Sequence, residues 1–374
     1  MVLPHLSNAL CSLPFSVLAE SSTPGGIFWF YVAFVALVLV FLALDLGVFH
    51  RHAHVVSARE AAMWSLVWAS CALLFTIFVY YGYENHWLGL GQNVPVVGKP
   101  GETITLSGRA AAEQYLTGYV IEWSLSVDNL FVIAVIFSYF AVPAIYQHRV
   151  LFWGIMGALV MRGAMIYVGK ELIERYSWVT YLFGGFLILT AIKMAMSGEQ
   201  SVHPDKTFLV RTVRKLIPVT SHYDGQKFLT RAPDKTGISR LHATPLLLAL
   251  IVVEFTDLIF AVDSVPAIFG ITGDPFIVLT SNVFAIMGLR SLYFLLAKML
   301  GTFRYLKPAL VLILLFVGTK MLLVHTQYKV DTTVSLLVVV GLLGAGVAAS
   351  LLIPHKDSPA DDPEVSPEDR AKQE

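Results

Sequence analysis

The chain has 374 residues, of which 56% are hydrophobic and only 14% charged, and its mean hydropathy is +0.69. A soluble domain carries roughly 25% charged residues, so a water-soluble core is excluded and a chain threaded repeatedly through a bilayer is expected. The formal net charge is zero, which argues against a nucleic-acid partner.

A membrane-spanning helix needs about 20 apolar residues. Runs of that kind fall at 27–49, 61–82, 113–140, 150–169, 178–197, 244–269, 276–297, 307–325 and 332–353. They predict an all-α polytopic membrane protein with about nine transmembrane helices. The third and sixth runs are long, so they tilt or break. The chain divides into accessory spans with an outer loop (1–112), a first three-helix unit (113–197), a basic loop (198–243), a second three-helix unit (244–325) and a ninth span with an acidic tail (326–374). The loop within 83–112 is punctuated by Gly, Pro and Asn, and no stable fold of its own is expected there. The loop 198–243 is expected to act as a positive anchor. The tail after Pro354 is rich in Asp, Glu and Pro and reads as disordered.

Charge in the loops sets orientation. With the segment after the first span placed in the cytoplasm, 17 Lys and Arg residues fall on that side and 5 on the other. The expected topology has the N-terminus outside and the C-terminus in the cytoplasm. No Lys or Arg precedes Arg51, so neither the n-region of a signal peptide nor a transit peptide is expected. The default location is a bacterial inner membrane. The two cysteines, Cys11 and Cys71, do not suggest a disulfide framework. Trp29, Trp64, Trp68, Trp87, Trp153 and Trp178 read as lipid-facing or interfacial anchors. Gly154, Gly157, Gly184, Gly185, Gly341 and Gly344 read as close-packing positions.

Against this apolar background the third span carries Glu122, Asp128 and Asn129 within EWSLSVDNL. A carboxylate at bilayer depth costs about 3 kcal/mol on insertion scales, so two in one span call for a function. The pattern returns in the sixth span as DLIFAVDSV. Asp257, Asp263 and Ser264 repeat Glu122, Asp128 and Asn129 at an offset of 135 residues. Arg162 of the fourth span is matched by Arg290 of the seventh, and Lys193-Met194 of the fifth by Lys320-Met321 of the eighth. Spans three to five therefore repeat as spans six to eight. Three is odd, so the halves cross the membrane in opposite directions, the inverted plan of many secondary transporters with a site where the halves meet.

Residues six apart on a helix lie about 120° apart around it. Glu122 and Asp128 therefore do not share a face, whereas Asp257 does with Ser264, and Glu254 with Asp257. Either the helices unwind here or the acids have different roles. Pro266 removes a backbone donor and frees a carbonyl one turn earlier, so a break is expected there.

Glu122, Asp128, Asn129, Glu254, Asp257, Asp263 and Ser264 form a hard-oxygen set suited to Mn2+, Ca2+ or Mg2+ rather than Zn2+ or Cu2+, with Asp128 and Asp263 expected as the central ligands and Glu122, Glu254 and Asp257 as additional ligands or proton carriers. The bland alternative is that the acids pair with Arg162, Arg290, Lys193 and Lys320. With Asp45, six intramembrane acids face those four bases, so at least two acids lack a basic partner; Arg162 and Arg290 are expected to take one acid each. Asp45 is a gate or an interfacial acid, and His50, His52 and His54 read mainly as a solvated loop. No nucleotide-binding loop is visible, no organic cofactor is expected, and the chain reads as a transporter rather than an enzyme.

EWSLSVDNLFV, VPAIYQHRVLFWGIMGA, EFTDLIFAVDSVPAIFGITGDPFIVLTSNVFAIMGLRSLYFLLA and the two Lys-Met pairs resemble the tellurium-resistance TerC family of bacterial and plastid membrane proteins. The resemblance runs from Asp45 to about Val324. It implies a three-plus-three inverted core, a role in manganese export or homeostasis, and an older association with tellurite resistance. Carried over by position, its acidic motif residues are Glu122, Asp128, Asn129, Glu254, Asp257 and Asp263. The expected partners are the bilayer, a divalent cation and protons. Two rival readings stand beside export: transport of an oxyanion held by Arg162 and Arg290, and a membrane scaffold with structural acids.

Overall fold

The computed structural model describes residues 25–44, 57–99, 101–196, 218–220, 222–233, 239–296, 305–324, 326 and 330–353. Its helices are α1 (Gly25–Leu44), α2 (Ala58–Glu84), α3 (Gly108–Tyr139), α4 (Ala144–Arg175), α5 (Trp178–Met196), α6 (Pro245–Phe269), α7 (Pro275–Met287), α8 (Leu289–Leu296), α9 (Leu306–Leu322) and α10 (Thr332–Leu352). Among the described residues, eight helical segments are long and apolar enough to cross a membrane, with α7 and α8 together forming one. The expected run that is missing from these eight is the eighth, 307–325, which is α9 and has only 17 residues.

Local chemistry sets the ends. Ser57 and Glu60 close a reciprocal capping box on α2, which satisfies two backbone donors left over at a helix start. Ser107 accepts from Ala110 N to start α3. Pro245 and Pro275 occupy the first turns of α6 and α7, where the missing N–H costs nothing. At 32 residues each, α3 and α4 are about 48 Å long. That exceeds a hydrocarbon core of about 30 Å, so they tilt or project beyond it.

The helices of the two repeated units interlock. By sequence equivalence α3, α4 and α5 correspond to α6, α7 with α8, and α9. The main contacts between the sets are α3 with α7, α4 with α6, α3 with α6, and α5 with α9. Exchanging the sets turns the first contact into the second and leaves the other two unchanged, which is the relation a two-fold axis imposes. The α5–α9 pair is closest at two facing glycines. A Cβ built on Gly184 would lie 2.9 Å from the Gly318 carbonyl oxygen, and one on Gly318 2.9 Å from that of Gly184. Small residues at such crossings let helix backbones meet. The accessory helices α1 and α2 pack on this core through Phe34, Phe75, Phe276 and Phe284, whose rings meet at 4.9–6.1 Å between centroids.

Several expectations are corrected. α6 continues without interruption through Pro266; the break falls instead at Gly288, between α7 and α8. The prolyl ring is accommodated within a packed helix, so the missing donor alone does not end it. The loop at 83–112 carries a two-stranded ladder, Val94–Pro95 with Thr103–Ile104. The basic loop contains an antiparallel hairpin, Leu229–Pro233 with Ser239–Ala243. The segment leading into it is docked: Tyr223 donates to the Phe140 carbonyl at 2.7 Å, and the Arg149 guanidinium lies 4.9 Å from the Phe228 ring centroid. These two features mark the ladder end and the hairpin end of the bundle. Gly185, Gly341 and Gly344 have open space where a Cβ would stand, so close packing does not explain them. Trp68 is buried against Phe41 rather than facing lipid.

Candidate functional site

Polar side chains from four helices converge inside the bundle. α3 supplies Glu122, α4 supplies Arg162, α6 supplies Asp257 and Ser264, and α7 supplies Asn282. Glu122, Arg162, Ser264 and Asn282 are all buried. Arg162 Nη1 makes an ion-paired hydrogen bond to Glu122 Oε1. The same nitrogen donates to Ser264 Oγ at 3.1 Å and to Asn282 Oδ1 at 3.3 Å. Arg162 Nη2 reaches Asp257 Oδ1 at 3.5 Å. Asn282 Nδ2 donates to Glu122 Oε2 at 3.1 Å, and Ser126 Oγ to Glu122 Oε1 at 3.4 Å.

Helix periodicity explains which acids enter this centre. Asp257 and Ser264 are seven residues apart, close to two full turns, and both face Arg162. Asp263 is about 120° away from Asp257 and points to α5, where Thr190 Oγ1 donates to its Oδ1 at 3.0 Å. The Lys193 ammonium also acts on Asp263 electrostatically. Glu254, one turn before Asp257, lies against α4 at Gly157, where any Cβ would collide with its carboxylate. The unwinding that the spacing allowed is not taken by the described helices, and the acids of one motif face different neighbours.

The remaining motif residues are placed as follows. Asn129 is buried on α3 and Arg290 on α8, just past the Gly288 break. Lys320 stands at the ladder end and donates to Ser335 Oγ of α10 at 2.9 Å. The Asp128 side chain, Asp45 and the His50, His52 and His54 cluster lie outside the described residues. Arg162 takes two acids where one was expected, and they come from different repeats. Among the described residues no group of three or more His, Cys, Asp and Glu side chains is close enough to hold a metal ion. Sequence reasoning missed Asn282 and Thr190. Each is a polar residue within an apolar span, and that alone was a usable signal.

Two atoms in this centre, Asp257 Oδ2 and Arg162 Nε, are buried without a hydrogen-bond partner. Buried polar atoms are nearly always paired, so the centre has capacity to form further interactions. A carboxylate from each half, an amide and two hydroxyls can bind a hard cation. The guanidinium at their midst can equally neutralise them.

The description "Integral membrane protein TerC family" belongs to the family model that matches residues 107–358. An uncharacterized membrane protein, STKORF319, of Myxococcus xanthus is 46% identical over 322 residues, covering 86% of this chain and 92% of its own length. A protein of Escherichia coli (strain K12) described as a candidate membrane-bound redox modulator, Alx, is 45% identical over 315 residues, covering 83% and 90%. An uncharacterized membrane protein of Rickettsia bellii is 37% identical over 322 residues, covering 86% and 97%. No solved structure matches the chain.

Proposed function

The chain belongs to the TerC family of integral membrane proteins, and from that premise we propose that it exports divalent metal cations, with Mn2+ the favoured substrate. It is a multi-pass membrane protein with bacterial relatives, and the inner membrane is the proposed location. The observation that carries the reading is the convergence of Glu122 and Asp257, one acid from each repeat, on a buried centre shared by α3, α4, α6 and α7. Ionisable groups held inside a membrane bundle at a repeat interface mark ion pathways by default.

In this reading Glu122 and Asp257 with Ser264 and Asn282 form the central binding surface. Asp263, turned towards α5, is a further ligand, and Asp128 is assigned the same role. Glu254 and Asn129 flank them, with Asp45, Arg290, Lys193 and Lys320 as supporting charges or gates. Oxygen donors alone do not separate Mn2+ from Ca2+ or Mg2+. The positive charge bias supports a cytoplasmic hairpin end, and in this reading export runs towards the ladder end. Moving two charges outward against the potential costs about 4.6 kcal/mol per 100 mV. With no nucleotide-binding motif, proton influx is the proposed source, the carboxylates exchanging the metal for protons.

The test is Mn2+ flux in proteoliposomes of known orientation under an imposed pH gradient. The expected result is proton-driven flux, lost in Asp257→Asn and Asp263→Asn variants that insert normally. A folded wild type that moves neither Mn2+, Ca2+ nor Mg2+ would sink the proposal. The ion pairs of Arg162 favour one second reading, a membrane scaffold whose acids are structural. On that view the reversed pair Glu122→Arg with Arg162→Glu restores folding, and the wild type binds no cation.

A further inference from the structure

We infer that Arg162 is a tethered counter-cation that the transported ion displaces, so that the metal-free site reorients with its acids balanced by Arg162 together with a proton. This inference rests on the cation-export reading above and assigns a distinct step within it.

The geometry gives Arg162 an unusual position. It is 1% exposed and touches the acidic motif of both repeats, Glu122 in one and Asp257 in the other. A hard dication binds carboxylate oxygens at about 2.0–2.6 Å. An ion on the Glu122 and Asp257 oxygens would therefore stand within a few ångströms of the guanidinium, in a medium where like charges repel strongly. The ion and the guanidinium compete for the same oxygens.

The surroundings let the guanidinium leave without losing all its partners. Ser264 Oγ at 3.1 Å and Asn282 Oδ1 at 3.3 Å are neutral acceptors that hold Arg162 on the α6 and α7 side. The contact to Asp257 is long, at 3.5 Å, and its other oxygen has no partner. Asn282 also donates to Glu122, so one amide connects the acid and the base that separate. Charge counting sets the consequence. With Arg162 retained, two acids with a dication carry a single positive charge, and two acids with one proton are neutral. Without Arg162, two acids with one proton carry a single negative charge inside the bundle. The metal-free site of such a variant is therefore the state most costly to carry across.

Net transport requires that metal-free return, whereas exchange of one Mn2+ for another does not. The experiment measures both in proteoliposomes: net Mn2+ flux under a pH gradient, and exchange of radiolabelled Mn2+ at equal concentrations on the two sides. In Arg162→Gln the ratio of net flux to exchange is expected to fall about tenfold or more relative to wild type. Arg162→Lys keeps the charge and is expected to restore the ratio to within about threefold. Should Arg162→Gln fail to insert, Glu122→Gln with Arg162→Gln removes one charge of each sign and carries the same expectation against Glu122→Gln alone. An unchanged ratio in a variant that still exchanges Mn2+ overturns the inference and leaves the export reading standing. A wild type that neither exchanges nor exports a cation overturns both.

Discussion

Two buried carboxylate centres in this protein are built on opposite principles. At the ladder end Asp274 is 6% exposed and receives neutral donors only. Tyr83 Oη donates to its Oδ2 at 2.8 Å, and the backbone N–H groups of Phe276 and Ile277 donate to its Oδ1 at 2.8 and 3.3 Å. Each oxygen is satisfied, the first turn of α7 is capped, and α2 is tied to α7. In the bundle interior Glu122 and Asp257 share a mobile-length cation instead, and two atoms there remain without partners. A carboxylate saturated by fixed dipoles has nothing left to bind. A carboxylate neutralised by a long side chain can change partners. The first arrangement is that of a joint, and the second is that of a site.

The contrast can be broken from either side. Arg162→Ala leaves two buried acids without their cation, and removing one member of a buried pair costs about 3–5 kcal/mol. That loss should be visible as a lower unfolding midpoint in detergent, and lowering it less than Asp274→Ala does would reverse the assignment of roles. Asp274→Ala removes a helix cap worth about 1 kcal/mol and strands the Tyr83 hydroxyl at about 1–3 kcal/mol. Its stability should fall while any cation flux per folded molecule is unchanged. Burial pushes the Asp274 carboxyl above the ordinary aspartate range, opposed by its hydrogen bonds to Tyr83, Ile277 and Phe276. An acid with a raised folded pKa gives its full stabilisation below the unfolded pKa and loses it as pH rises through the folded one. Relative to Asp274→Asn, the wild type should therefore weaken as pH climbs above about 4, which thermal scans across pH would register. The smallest effect expected is that of Thr190→Val, which removes one hydrogen bond to Asp263 at 3.0 Å. A loss of about 1 kcal/mol fits one ordinary side-chain hydrogen bond, and a neutral result would mean that Asp263 repartners freely.

Particular residues show what could be read in advance. The spans and the repetition of EWSLSVDNL as DLIFAVDSV are written in the chain. The seven-residue spacing of Asp257 and Ser264 placed them on one face, and the six-residue spacing of Asp257 and Asp263 placed them on two. Pro266 misled because a lost backbone donor was weighed without the packing that holds α6 straight. Asn282 escaped notice because one amide in an apolar run has no sequence partner.

The sequence by itself determined that the chain is a membrane helix bundle with two acidic motifs, because apolar length and helical period are local properties of consecutive residues. Only the tertiary structure decided that Arg162 joins Glu122 of one motif to Asp257 of the other. That choice depends on how four helices rotate and cross. Those angles are set by contacts such as Gly184 on Gly318 and Gly157 beside Glu254, which bring together residues far apart in the chain.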